Sequence, residues 1–262
     1  ALGLYLCPSI SFAEGVDGYT KLLLHNDSTA FTDSSLSSHS VTNSGAQLDT
    51  VNKKFGTGSA NFPGSSYLSI QDSNDWTFGS GDFTIDTWVK ANTGTGAKHI
   101  ASQHASSSNV SDLQWNASSG ILNMRWVTGG VNRGWYHTAG GLWMGRGGGW
   151  YHIAFVRQSS NAYIFVNGES LPLTVINAFG NIGDIAAPYV IGTDYNGGSP
   201  LEHWNGWIDE VRISKGVARW TSDFTPPTSP YSAGVIPEPS SMLLLGIGGL
   251  AMAAFKRKKR SL

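Results

Sequence analysis

Polar and apolar positions alternate with a period of two along much of this chain. In DFTIDTWVKA (82–91), Phe83, Ile85 and Val89 alternate with Thr84, Asp86 and Lys90, and Trp88 falls on the second face. That period sends every other side chain to one face of a strand. WYHIAFVRQ (150–158) and AYIFVNGES (162–170) are apolar on both faces, which predicts strands in the middle of packed sheets. GWIDEVRIS (206–214) predicts another strand, with Ile208 on the face opposite Trp207, Val211 and Ile213. Asn167-Gly168 signals a tight hairpin turn, and Gly147-Gly148-Gly149, Asn196-Gly197-Gly198 and Pro226-Pro227 separate other runs. No helical period persists between residues 18 and 231, so one all-β domain is expected there.

Both ends break the pattern. The opening ALGLYLCPSISFAEG reads as the remainder of a secretory signal, residues 1–13, with a small-x-small site at Ser11-Phe12-Ala13 and earlier residues missing. After a linker at 232–236, the chain closes with Pro237, Glu238 and Pro239, an apolar run at 242–255, and the cluster Lys256, Arg257, Lys258, Lys259 and Arg260. As a helix the apolar run reaches roughly 21 Å, against a hydrocarbon core of about 30 Å. It predicts a short hydrophobic helix that anchors weakly and transiently in the inner membrane, with the basic cluster on the cytoplasmic side.

Composition supports a sandwich. Only 13% of the 262 residues are charged, while 33 are Gly and 10 are Trp. The net charge of −1 gives no global basic field, which argues against a nucleic-acid partner. The one cysteine, Cys7, lies in the leader-like segment, so the domain has no disulfide and no Cys-based zinc site.

The closing segment resembles a PEP-CTERM sorting signal, residues 237–262: the Pro-Glu-Pro motif, the apolar span and the basic tail come in order at the terminus. The resemblance implies an exosortase-type sorting protease as partner and a Gram-negative host. It also implies removal of the tail and release to the cell envelope or an extracellular matrix. A second resemblance covers 18–231. FGTGSANFPGSSYLSI, GSGDFTIDTWVK, GGGWYHIAFVRQSSNAYIFVNGES and NGWIDEVRISKGVARWTSDFTPPTSPY follow one another as in laminin G-like domains of the concanavalin A-like superfamily. That implies a two-sheet antiparallel jelly-roll sandwich, a fold that hosts lectins, adhesion modules and glycanases alike.

Chemistry on such a fold can be weighed from the acids and aromatics. Glucanases of this superfamily carry a Glu-x-Asp-x-x-Glu strand, and none occurs here. Asp209 and Glu210 are adjacent and point to opposite faces, and Asp82 and Asp86 lack a Glu partner. No catalytic residue is assigned, and the chain is expected not to be an enzyme. Domains of this superfamily often hold Ca²⁺, which takes oxygen ligands. Asp27, Asp33 and Asp209 could converge on a structural calcium ion if the first and last strands are neighbours, with Asp72/Asp75 and Asp194/Asn196 as other loop sites. Trp126, Trp135, Trp143 and Trp204, with Trp115, lie in Gly-, Ser- or Asn-rich surroundings and are candidates for an exposed sugar platform, with Arg133, Tyr136 and His137 adding polar contacts. Trp76, Trp88, Trp150, Trp207 and Trp220 are expected to pack. The expectation is a secreted, non-catalytic domain that binds an extracellular polysaccharide, a surface glycan or another surface protein. The rival readings are a structural protein of a biofilm matrix with no defined pocket, and a glycanase.

Overall fold

The structure is a computed structural model; it describes residues 15–235 apart from Trp143, Arg146, Gly147 and Gly197, and the side chains of 233–235 are outside the description. The signal remnant, the sorting tail and Trp143 therefore lie outside the described residues. Two eight-stranded antiparallel sheets face each other. The first runs Leu173–Asn177, Val131–Thr138, Ile121–Thr128, Asn109–Asn116, Ala97–Ser106, Tyr189–Ile191, Tyr67–Ile70, Val41–Ser44. The second runs Glu169–Ser170, Asn161–Val166, Tyr151–Gln158, Phe83–Ala91, Asn205–Lys215, Ser59–Pro63, Gln47–Asp49, with Thr20–Leu24 also paired to Asn205–Lys215. The expected all-β sandwich is what forms, and one three-residue 3₁₀ turn, Asn74–Trp76, is the only helix among the described residues.

Between the sheets lies a core built from alternate positions. Phe83, Ile85 and Val89 meet Leu113, Trp115, Leu122, Met124 and Trp126 from the opposite sheet. Tyr151–Gln158 and Asn161–Val166 are apolar on both faces because both faces are covered. Ile153, Phe155 and Ile164 join the main core, while Ala154, Val156 and Phe165 pack beneath Trp220 and Phe224 of the segment that follows the last long strand. Asn167 and Gly168 form the expected turn, both with positive φ (51° and 84°), and a side chain at Gly168 would strike the Phe224 carbonyl.

One sequence expectation fails within a strand. Ile208 does not oppose Val211 and Ile213; all three are buried in the same core. The register slips between Asp209 and Arg212, where Glu210 adopts φ 51°. The extra residue of a β-bulge resets the alternation, so the face reverses partway along the strand. The stretch expected as a linker contains Ser232–Val235, a short strand paired in parallel with Gly15–Val16.

Candidate functional site

The outer face of the first sheet carries polar residues in register. Across neighbouring strands, Asn123 lies opposite Gln114 on one side and His137 on the other, and Arg125 lies opposite Asp112 and Trp135. These positions alternate with the core residues Leu122, Met124 and Trp126, so the pleat points them outward. The Trp135 indole N–H donates to Asn123 Oδ1 at 2.7 Å, and the Arg125 guanidinium sits 5.4 Å from the Trp135 ring centre. Arg125 Nε donates to Asp112 Oδ2 at 2.7 Å. Trp135 and Arg125 are half-buried, so each presents an edge to solvent.

Beside this patch the face becomes buried. The hairpin Asp194–Asn196/Ser199–Leu201 folds against Ala97–Ser106. Ser102 donates to the Thr193 carbonyl at 2.9 Å and the Thr193 hydroxyl to the Leu201 carbonyl at 2.6 Å, which fixes the hairpin to the sheet. Beneath it, His99 Nε2 is 3.2 Å from Asp112 Oδ1, His99 Nδ1 is 3.3 Å from Glu202 Oε2, and His104 Nδ1 is 2.7 Å from Asp194 Oδ1. Burial would raise the Asp112 carboxyl, but the hydrogen bond and charge of His99 and the Arg125 guanidinium outweigh it and hold it below the usual carboxylate range. On the far side of the hairpin the same face forms a cleft of about 420 Å³ lined by Thr42, Ser44, Tyr67, Ser69, Gln71 and Tyr195 among others.

The aromatic platform expected from sequence is only partly there. Trp126 and Trp204 are 1% and 0% exposed, and Trp115 and Tyr136 are also buried. Trp126 packs against Phe78, Phe83 and Phe179, and Trp115 against Trp204. They belong to the inward phase of their strands or close the end of the core, so they have no face to offer a ligand. Among the described residues, Trp135, one alternation away from Tyr136, is the member of that set on the outer face, beside His137. Trp76, Trp88 and Trp220 are buried, in line with the packing role expected of them.

The three carboxylates considered for calcium do not come together. Asp33 accepts from the amides of Leu23, Ser35 and His39 at 2.8–2.9 Å and from the Ser35 hydroxyl at 2.9 Å. Four donors fill the acceptor capacity of a carboxylate. Asp27 Oδ1 accepts from the amides of Thr57 and Gly58. Asp209 accepts from the amides of Lys54, Phe55 and Glu210, while burial pushes its carboxyl up to about 7. Each acid ties a loop to the sandwich, so these residues do not fit a shared Ca²⁺ site. Of the other loop acids, Asp75 is bonded to Ser37 and His39, and Asp194 belongs to the cluster under the hairpin. That cluster is the group of three or more metal-capable side chains found among the described residues, and sequence reasoning missed it: His99, Asp112 and Asp194 come within 4.8 Å of one another.

Comparison with known proteins now places the chain. The profile described as the concanavalin A-like lectin/glucanases superfamily matches residues 62–221, more than half of the chain. The chain belongs to this superfamily. The PEP-CTERM protein-sorting motif matches residues 235–258, so the protein carries a signal for export to the cell envelope and exosortase-type processing. No curated protein matches in sequence. Among solved structures, domain 4 of AbnA, a GH43 extracellular arabinanase from Geobacillus stearothermophilus in complex with arabinotriose, is similar. It shares 18% identity at a TM-score of 0.57, over 78% of this chain and 95% of that one. The binding domain of Paraclostridial Mosquitocidal Protein 1 is 14% identical at a TM-score of 0.57, over 77% of this chain and 50% of that one. A botulinum neurotoxin type C structure, from work on cell entry through two ganglioside molecules, is 13% identical at 0.55, over 77% and 49%. This chain thus spans about half the length of the toxin structures. At these identities the likeness concerns the fold. Among the described residues, no helix is long and apolar enough to cross a membrane.

Proposed function

We propose that this is an exported, non-catalytic carbohydrate-binding domain, held at the cell envelope or in the extracellular matrix of a Gram-negative bacterium. Its sugar face is the outer surface of the first sheet around Trp135. The observation that carries this reading is the in-register block Gln114–Asn123–His137 beside Asp112–Arg125–Trp135. Amide, imidazole and guanidinium groups with an indole edge suit a ligand that presents hydroxyls on its rim and C–H groups on its ring faces. The arabinotriose and gangliosides named for structures of the same fold are in keeping with it. So is the arrangement of the acids singled out from sequence. Asp82 accepts from the Ser159 amide, Asp86 is sealed in an internal network, and Asp209 and Glu210 are held by amides and His25. None of these pairs is free to flank a glycosidic bond.

The test is binding of the full chain to a panel of bacterial exopolysaccharides and surface glycans, with Trp135→Ala and Asn123→Ala beside it. Binding reduced tenfold or more in both variants, with far-ultraviolet circular dichroism unchanged, is the expected result. A panel with no binder would overturn the reading and leave a matrix protein without a defined pocket.

A further inference from the structure

Independently of the sugar reading, we infer that the cluster under the hairpin is a transition-metal site: His99, Asp112 and Asp194 bind one divalent cation of the Zn²⁺ class.

The three side chains come from three separate segments of the outer face, Ala97–Ser106, Asn109–Asn116 and the start of the hairpin at Asp194. They are 2%, 4% and 8% exposed, and one ligand atom from each lies within 4.8 Å of the others. Ligands about 2.1 Å from a common zinc lie about 3.4 Å apart in a tetrahedron, so small side-chain rotations close the set. One buried imidazole nitrogen beside the cluster, His104 Nε2, has no hydrogen-bond partner, and His99 Nδ1 has the Glu202 carboxylate at 3.3 Å. An unpaired nitrogen lone pair in a buried site is costly unless a proton donor or a cation meets it. The charge pattern points the same way. Three carboxylates, Asp112, Asp194 and Glu202, stand against the two imidazoles, and the Arg125 guanidinium pairs with Asp112, so a dication would be met by carboxylate charge.

The donor set selects the ion. One imidazole and two carboxylates suit Zn²⁺ and its first-row neighbours rather than Ca²⁺, which takes six to eight oxygens. His104 supports the site from outside, because its Nδ1 contact at 2.7 Å fixes the orientation of the Asp194 carboxylate. The Ser102–Thr193 and Thr193–Leu201 hydrogen bonds keep the hairpin closed over it. A fourth position would be left for water or Glu202, which is half-exposed at the rim.

The experiment uses the full chain, without an affinity tag, stripped with chelator and titrated with ZnCl₂ by calorimetry. One equivalent is expected, with Tm raised by about 5 °C or more at a hundredfold excess over Kd. Asp194→Asn, which keeps an acceptor for His104, and His99→Gln should each weaken binding by tenfold or more, while His39→Gln, which removes a histidine elsewhere, should not. Co²⁺ added to the unaltered chain should give the visible bands of a four- or five-coordinate ion, a readout that survives if a variant fails to fold. Absence of heat, of a Tm shift and of Co²⁺ bands on folded protein would overturn the inference. So would binding that is equally strong in folded Asp194→Asn, or that depends on His39.

Discussion

Both sheets carry an aspartate–arginine pair on their outer faces, and the two pairs live in opposite surroundings. On the second sheet, Arg212 Nε donates to Asp86 Oδ1 at 3.0 Å with both side chains fully buried. The Tyr231 hydroxyl donates to the same carboxylate, His152 Nε2 stands 3.4 Å away, and the Arg212 guanidinium lies 3.8 Å from the Tyr231 ring centre. Trp220, stacked 4.0 Å from Phe224, closes the lid. On the first sheet, Arg125 meets Asp112 with its own side chain 31% exposed, beside Trp135. The residue types are the same. What differs is the segment that covers them: among the described residues, 216–231 seal one sheet and a short hairpin covers part of the other. Charges sealed in this way hold the fold together, whereas the partly exposed Arg125 guanidinium remains available to a ligand.

Breaking the sealed pair should have the largest effect. Asp86→Ala leaves Arg212 buried and unpaired, and a loss of about 3–5 kcal/mol is expected from urea unfolding. The pH dependence follows the same group. Burial would raise the Asp86 carboxyl, but Arg212 and the hydrogen bonds hold it at about 2, below its ordinary 3.8. A depressed carboxylate stabilises the fold above its unfolded value and loses that contribution as pH falls, so the wild-type urea midpoint should drop between about pH 4 and pH 2. Asp86→Asn should be less stable at pH 7 and should flatten that limb.

Glu210 offers the next contrast. It is 1% exposed, its carboxylate receives His25 Nδ1 at 2.9 Å and the Tyr231 amide at 3.1 Å, and it occupies the bulge. Burial would lower the His25 imidazole, but the hydrogen bond and charge of Glu210 outweigh it and raise it above 6.5. A raised imidazole stabilises fully below its unfolded value and loses that contribution as pH rises through the folded one. Glu210→Gln should cost about 1–3 kcal/mol at pH 6. It should also remove the loss of stability that the wild type shows on the alkaline side of pH 6.5, measured by denaturation across pH 6–9.

The open face sharpens the comparison from the other side. Trp135→Ala should cost about 1–2 kcal/mol, because the ring is half-buried, whereas Trp126→Ala should cost about 3–5 kcal/mol. The two lie on adjacent strands yet occupy opposite phases of the pleat. This distinction was legible: ILNMRWVT at 121–128 alternates Leu122, Met124 and Trp126 with Asn123 and Arg125, and reading it as a strand puts Trp126 inside at once. Glycine- and serine-rich neighbours were a poor guide to exposure, since they mark turns at strand ends rather than the direction of the side chain between them. The sandwich itself was legible because period-two patterning and turn signals are local. The face reversal after Ile208 was not, because it depends on a left-handed glutamate that no pattern of apolar residues announces. Nor was the cluster of His99, Asp112 and Asp194, whose members are brought together by strand pairing and a hairpin across up to 95 positions of sequence, the separation of 99 and 194.

The smallest effect expected lies at Glu202, and it tests whether coverage alone decides what a charge contributes. Glu202 resembles Glu210 in backbone, with φ 49° against 51°, and in partner, since each meets an imidazole. It differs in exposure, 49% against 1%. Water screens the exposed carboxylate and solvates it when the pair is broken, so Glu202→Gln should change stability by no more than about 0.5 kcal/mol. Because the left-handed backbone is retained in both glutamine variants, strain cancels from the comparison between them. Equal losses at positions 202 and 210 in urea unfolding at pH 6 would show that local conformation, and not the covering segment, sets the worth of these charges.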